Sequence, residues 1–146
     1  MILFTIIILI SLTIDQLIKF FVENNMYGKS IDIIENIFSL TYVQNRGAAW
    51  GIFSSNDWIL KIFASILIIV IIIFVYKTCK NNLEFVFGGL IVGGAIGNLL
   101  DRIIRGYVVD FLDFKFWPVF NFADICIVVG CVLLIIVLWR KERSNK

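Results

Sequence analysis

Apolar residues in this chain run in four near-continuous blocks separated by polar stretches, without the spacing of a soluble amphipathic helix. The blocks cover roughly 2–22, 58–76, 83–100 and 119–139. At 1.5 Å of rise per residue, each is long enough to cross a hydrocarbon layer about 30 Å thick. Between the first two blocks lies 23–57, where Ser30 to Val43 mixes polar and β-branched residues with short-period alternation. That pattern predicts short strands at the membrane surface. The connection 101–118 contains a second extended apolar run, Tyr107-Val108-Val109-Asp110-Phe111-Leu112. The expected architecture is an all-α membrane protein, one integral membrane domain over 1–146. It has four transmembrane helices with a small extracytoplasmic β-rich loop region.

Composition agrees: 60% of the 146 residues are hydrophobic, which excludes a soluble domain of ordinary make-up. The first block has no basic residue ahead of it and no small-residue cleavage pattern, so it is expected to be a retained helix. Orientation follows from the density of basic residues. The stretches 77–82 and 140–146 carry six Lys and Arg in thirteen residues, against five in fifty-three for 23–57 and 101–118. Both termini are therefore expected in the cytoplasm, with the long connections outside. Trp50, Phe53 and Trp58 suit the interfacial belt. The net charge of +2 suggests no nucleic-acid binding. Cys79, Cys126 and Cys131 form neither a disulfide framework nor a metal-ligand spacing and read as small buried hydrophobes.

The second block is uniformly lipid-like apart from Lys61. In the third, Gly89, Gly93 and Gly97 recur every four residues, with Gly94 beside them, a pattern for close helix packing. Polar residues then stand out. Asp15 and Lys19 share a helix face and can neutralise each other; with Gln16 they are expected to brace the site or the loop without taking part in chemistry. At the end of the third block, Asp101 and Arg102 read as a solvated helix end, whereas the Asn98 amide requires partners.

Asp124 has two readings. With Asn121 as N-cap and Pro118 upstream, it is the third residue of a helix, favoured there by the helix dipole. It is equally a candidate for catalysis. Asp110 tips the balance, because a solvated carboxylate is out of place in its apolar run. Two carboxylates brought together can share a proton and activate water. With no histidine, Ser-His, Cys-His and His-Glu-x-x-His chemistries are excluded. A Ser-Lys dyad of Lys61 and Ser65 ranks low, since it lies in the most lipid-like helix. A membrane-embedded aspartic peptidase is the favoured reading. The alternative is a non-enzymatic proton-relay or small transporter subunit.

Several blocks, in order, carry a resemblance: Asp15-Gln16-x-x-Lys19, Asn45-Arg46-Gly47-Ala48-Ala49-Trp50, Gly93 to Arg102, Arg105 to Phe111, and Phe120-Asn121-x-Ala123-Asp124. Together they resemble the lipoprotein signal peptidases (signal peptidase II). The resemblance implies a catalytic pair at Asp110 and Asp124, supported by Asp15, Lys19, Asn45, Gly47, Asn98, Arg102 and Asn121. It also implies a diacylglyceryl-modified prolipoprotein as substrate, cut just before the lipidated cysteine, with membrane lipids around it. Inhibition by globomycin-type peptide antibiotics is implied too, as is a bacterial inner or cytoplasmic membrane location with the site on the extracytoplasmic face. No metal or other cofactor and no nucleic acid is expected, and a monomer is. Three positions depart from the family pattern. Trp50 stands where phenylalanine is usual, Ile18 replaces a small hydroxyl residue, and Ile125 stands where serine is common.

Overall fold

The computed structural model describes residues 1–47 and 57–144. Four long helices, α1 (Ile2–Met26), α2 (Asp57–Thr78), α3 (Asn82–Ile104) and α4 (Phe122–Ser144), are each long and apolar enough to cross a membrane. Strands β1 (Ser30–Ile34), β2 (Phe38–Asn45) and β3 (Val108–Phe114) form one antiparallel sheet in that order. Ala48 to Trp50, part of one of the blocks that carry the resemblance, and Phe53, expected in the interfacial belt, lie outside the described residues. Trp58 is exposed at the start of α2, as an interfacial aromatic should be.

α3 is the central helix: half of its apolar window is buried, against 11% for α2, whose surface is left for lipid. The packing follows from the glycine stripe. A Cβ on Gly93 would lie 2.0 Å from Ser11 Oγ, and one on Gly97 would lie 2.6 Å from Asp15 Oδ2. The row continues one turn at a time: Asp101 meets Lys19, and Arg105 meets Glu23. Thus every fourth residue of α3 from Gly93 faces every fourth residue of α1 from Ser11. Small residues deep in the bundle bring the backbones together, and the outer end of the same row becomes ionic. Gly94, on the adjacent row, admits α4; its Cβ would lie 2.4 Å from the Ala123 carbonyl oxygen.

At the other end of α3, Asn81 and Glu84 form a capping box, and Lys141 of α4 pairs with the buried Glu84 carboxylate at 2.9 Å. The apolar block begins near residue 83, and the helix begins at Asn82, with Glu84 buried at its first turn. An Asn at N-cap with Glu three residues on is the signal that identifies it.

The helices run longer than the apolar blocks. α1 continues to Met26 because Val22 and Met26 bury against Val109 and Phe111 of β3. The fourth helix starts at Phe122, not 119, because Phe120 is held in extended conformation, exchanging backbone hydrogen bonds with Leu112. That return of the chain lays Asn121 beside Asp110. In β2 a bulge sets four residues, Leu40 to Val43, against three on β3, Leu112 to Asp110. The extra residue turns Val43 and Asn45 to the face that carries Asp110.

Gly94→Ala tests the packing, because the obstacle is backbone and cannot rotate away. The substitution should cost about 1–3 kcal/mol, read as a lowered unfolding midpoint of the purified protein in detergent. Unchanged stability would mean that α4 does not approach α3 this closely.

Candidate active site

The C-terminal half of α1 carries Asp15 and Lys19 one turn apart, both fully buried. The Lys19 ammonium has three N–H donors, and three acceptors surround it. Asp15 Oδ2 lies at 2.9 Å, Asp101 Oδ2 at 2.8 Å and Asn98 Oδ1 at 3.0 Å. Because an ammonium can only donate, it dictates which end of the Asn98 amide is the oxygen. The Asn98 nitrogen is thereby turned away, and it donates to Asp124 Oδ1 at 2.8 Å.

Asn121 is fixed in the same manner. Its side-chain oxygen accepts the Asp124 backbone N–H at 3.1 Å, the N-cap bond of α4. Its nitrogen therefore faces the other way, donating to Asn98 Oδ1 at 3.1 Å and to Asp110 Oδ1 at 2.6 Å. The Asn121 backbone N–H returns to Asp124 Oδ2 at 3.2 Å, which closes a capping box. From the sheet, Asn45 Nδ2 donates to Asp110 Oδ2 at 2.8 Å while its oxygen accepts the Gly47 N–H at 3.1 Å. Asp15 adds a further brace, accepting the Ala123 N–H at 2.9 Å.

Two carboxyl groups from different elements thus share one asparagine. Each of the four carboxylate oxygens accepts an N–H, three from side-chain amides and one from the Asn121 backbone. Burial and the neighbouring Asp124 charge push the Asp110 carboxyl up to about 6, against the opposing bonds from Asn45 and Asn121. A pair of this kind, with one member holding a proton near neutrality, can polarise a carbonyl and activate water. Asp124 is half-buried and lines a groove of about 340 Å³ walled by Trp117, Phe120, Ile125, Val128 and Val129. A smaller groove of about 160 Å³ between α2, α3 and α4 is lined by Leu60, Phe63, Asn98 and Arg102, among others.

Of the residues expected here, Asp15, Lys19, Asn45, Asn98, Asp110, Asn121 and Asp124 form one connected network, with Gly47 orienting Asn45. Arg102 is half-buried at the mouth of the smaller groove and donates to the Asn98 backbone carbonyl at 3.2 Å. One expectation is overturned. Asp101 is not solvated but 0% exposed, paired with Lys19 and with Arg105. α3 continues a full turn beyond Leu100, so Asp101 stays on the face that meets α1. The signal was available: 89, 93, 97, 101 and 105 are one row at four-residue spacing. Gln16, treated as bracing, donates to Asp15, to Asp101 and to the Gly97 carbonyl.

Two departures from the family pattern have a structural account. Ile18 packs among Val22, Met26 and Val109, where an apolar residue fits. Ile125 lies in the wall of the larger groove, while Asp124 draws its N–H donors from Asn98 and Asn121. The Ser65 hydroxyl donates to the Lys61 carbonyl at 2.7 Å, a within-helix bond that gives no support to a Ser-Lys dyad.

Lys19→Met removes the only cation between two buried carboxylates among the described residues. The loss should be about 3–5 kcal/mol of stability, measured by chemical or thermal unfolding. A cost below about 1 kcal/mol would contradict the burial of that cluster.

Comparison with known proteins is consistent over nearly the whole chain. The family model described as Signal peptidase (SPase) II matches residues 7–140. A lipoprotein signal peptidase of Halothermothrix orenii is 47% identical over 139 residues, 94% of this chain and 96% of that protein. The lipoprotein signal peptidase of Clostridioides difficile is 44% identical over 151 residues, 98% of this chain and 99% of its own. A bacterial membrane enzyme solved by the in meso method at 2.3 Å superposes with a TM-score of 0.88 at 32% identity, covering 98% of this chain and 91% of that one. Agreement of that extent in sequence and in fold has one meaning: the chain belongs to the signal peptidase II family.

Proposed function

We infer that the protein is an aspartic endopeptidase that removes the signal peptide from prolipoproteins, with Asp110 and Asp124 as its catalytic pair. The observation that carries the assignment of residues is Asn121, which binds both carboxyl groups at once through fixed donors. Membership of the signal peptidase II family and the printed names of the relatives support the substrate class.

The chemistry follows from the two environments. Asp110, pushed up to about 6, holds the proton. Asp124 sits on the N-terminus of α4 and accepts N–H bonds on both oxygens, so it acts as base. Asp124 takes a proton from a water that attacks the scissile carbonyl, while Asp110 donates to the carbonyl oxygen. The resulting gem-diol collapses as the amide nitrogen is protonated, and the peptide bond breaks. Asn45, Asn98 and Asn121 keep the carboxyl groups aimed during these transfers. Lys19 and Asp15 hold the asparagines and the helix end in place.

The substrate's diacylglyceryl-modified cysteine enters from the lipid side, and the apolar groove beside Asp124 is of a kind to take acyl or signal-peptide surface. Basic-residue density supports cytoplasmic termini and an extracytoplasmic site, in the cytoplasmic membrane of a bacterium. The catalytic unit is a monomer, and peptide antibiotics of the globomycin type inhibit by occupying the aspartate pair. A proton relay across the bilayer is disfavoured, because α3 carries no polar side chain between Glu84 and Asn98. That interval is about 20 Å of helix.

Purified protein should process a diacylglyceryl-modified precursor. Asp110→Asn and Asp124→Asn should each lose at least about 10³-fold in rate while remaining folded. Equal processing by wild type and Asp110→Asn would remove the assignment. The pH dependence has a definite sign. Asp110 is needed protonated, so kcat/KM of the free enzyme should fall as pH rises through about 6.

A further inference from the structure

Asp101 lies outside the catalytic pair, yet its carboxylate touches the supports of both members. Its Oδ2 accepts from Lys19 at 2.8 Å, and Lys19 holds the Asn98 amide that donates to Asp124. The same oxygen accepts the Val109 backbone N–H at 3.4 Å, one residue before Asp110 on β3. Its Oδ1 is held by Gln16 at 3.1 Å and by the Arg105 guanidinium. Arg105 is in turn tied to Glu23 at 3.0 Å, and Glu23 accepts from the Tyr107 hydroxyl at 2.7 Å. A charged chain therefore runs from the half-exposed turn between α3 and β3 to both aspartates, and Asp101 is the point at which it divides.

We propose that Asp101, locked by Arg105 and Gln16, is a positioning residue for the peptidase reaction. It holds Lys19 against Asn98 on one side and the β3 backbone beside Asp110 on the other. The proposal rests on Asp110 and Asp124 being the catalytic pair. Without the Asp101 carboxylate, the Lys19 ammonium swings to Asp15, its remaining charged partner. The Asn98 oxygen then loses the bond that fixes the amide, and the N–H to Asp124 is no longer aimed. Misplacement of a reacting group by about 1 Å costs on the order of 10²-fold in rate.

The charge change also has a direction. Asp110 faces Asp124 from α4 and Lys19 from α1, with the Asn45 and Asn121 amides as its neutral neighbours. Asp101 faces Lys19 and Gln16 from α1 and Arg105 from α3, with Asp15 across Lys19 and Glu23 beyond Arg105. Removing the Asp101 charge leaves Lys19 less neutralised and favours ionised Asp110. Removing the Arg105 charge acts in the opposite sense.

The test is kcat and KM against pH for the full chain with a diacylglyceryl-modified precursor, comparing wild type, Asp101→Asn and Arg105→Gln. Asp101→Asn should lower kcat about 10²-fold, with KM changed less than about threefold, and should move the alkaline limb to lower pH. Arg105→Gln should lower kcat less and move that limb to higher pH. A purely structural role would reduce the folded fraction and leave the limb in place for both variants. That result, or wild-type kcat and pH profile in Asp101→Asn, would overturn the proposal. If Asp101→Asn does not fold, the Arg105→Gln limb decides alone, and an unmoved limb is the negative result. Failure of the underlying reading looks different: Asp110→Asn or Asp124→Asn would then cleave at the wild-type rate.

Discussion

A lysine ammonium with no access to water organises the half of this protein that carries the sheet. Burying an isolated cation in a low-dielectric interior costs several kcal/mol, and Lys19 meets that cost with two carboxylates and an amide oxygen, one for each of its N–H bonds. The arrangement leaves no freedom. An ammonium with three fixed acceptors sets the orientation of Asn98, Asn98 helps orient Asn121, and the two amides direct N–H bonds to Asp124 and Asp110. Ion-pair energetics of this kind contribute little net stability compared with apolar packing. What they supply is a single geometry.

The helix-packing pattern makes the cluster possible. Side chains on one row of α3 go from glycine to aspartate to arginine in steps of four, and the facing row of α1 goes from serine to aspartate to lysine to glutamate. In the depth of the bundle the row excludes everything but backbone and small side chains. At its outer end the same register matches charges. The sheet completes the site from above, since the β2 bulge aims Asn45 and the return of Phe120 to β3 brings Asn121 alongside Asp110.

Much of this was legible in the sequence. The four apolar blocks, the surface strands and the conflict between Asp110 and its apolar run all follow from periodicity and burial cost. The glycine stripe was readable as a packing face, but not which helix would cover it. That is why Asp101 read as a solvated helix end: sequence spacing shows which residues share a face, and tertiary packing decides what they meet. Asp124 is instructive in another way. Capping and catalysis stood as rival readings, yet one oxygen closes the capping box while the other accepts from Asn98. The cap is what holds the carboxylate still. The start of α4 was misplaced by three residues because a single bridge between Phe120 and Leu112 overrides the apolar run, a long-range interaction that local pattern does not reveal.

The assignment of Asp110 and Asp124 as a catalytic pair requires that two carboxyl groups, held by shared amides, retain one proton between them. Infrared difference titration of the purified protein reads this directly, since a protonated carboxyl and a carboxylate absorb separately. A carboxylic-acid band should persist well above the ordinary aspartate range, titrate near pH 6, and vanish in Asp110→Asn. A band that survives that substitution unchanged, or no protonated carboxyl at all above pH 5, would contradict it.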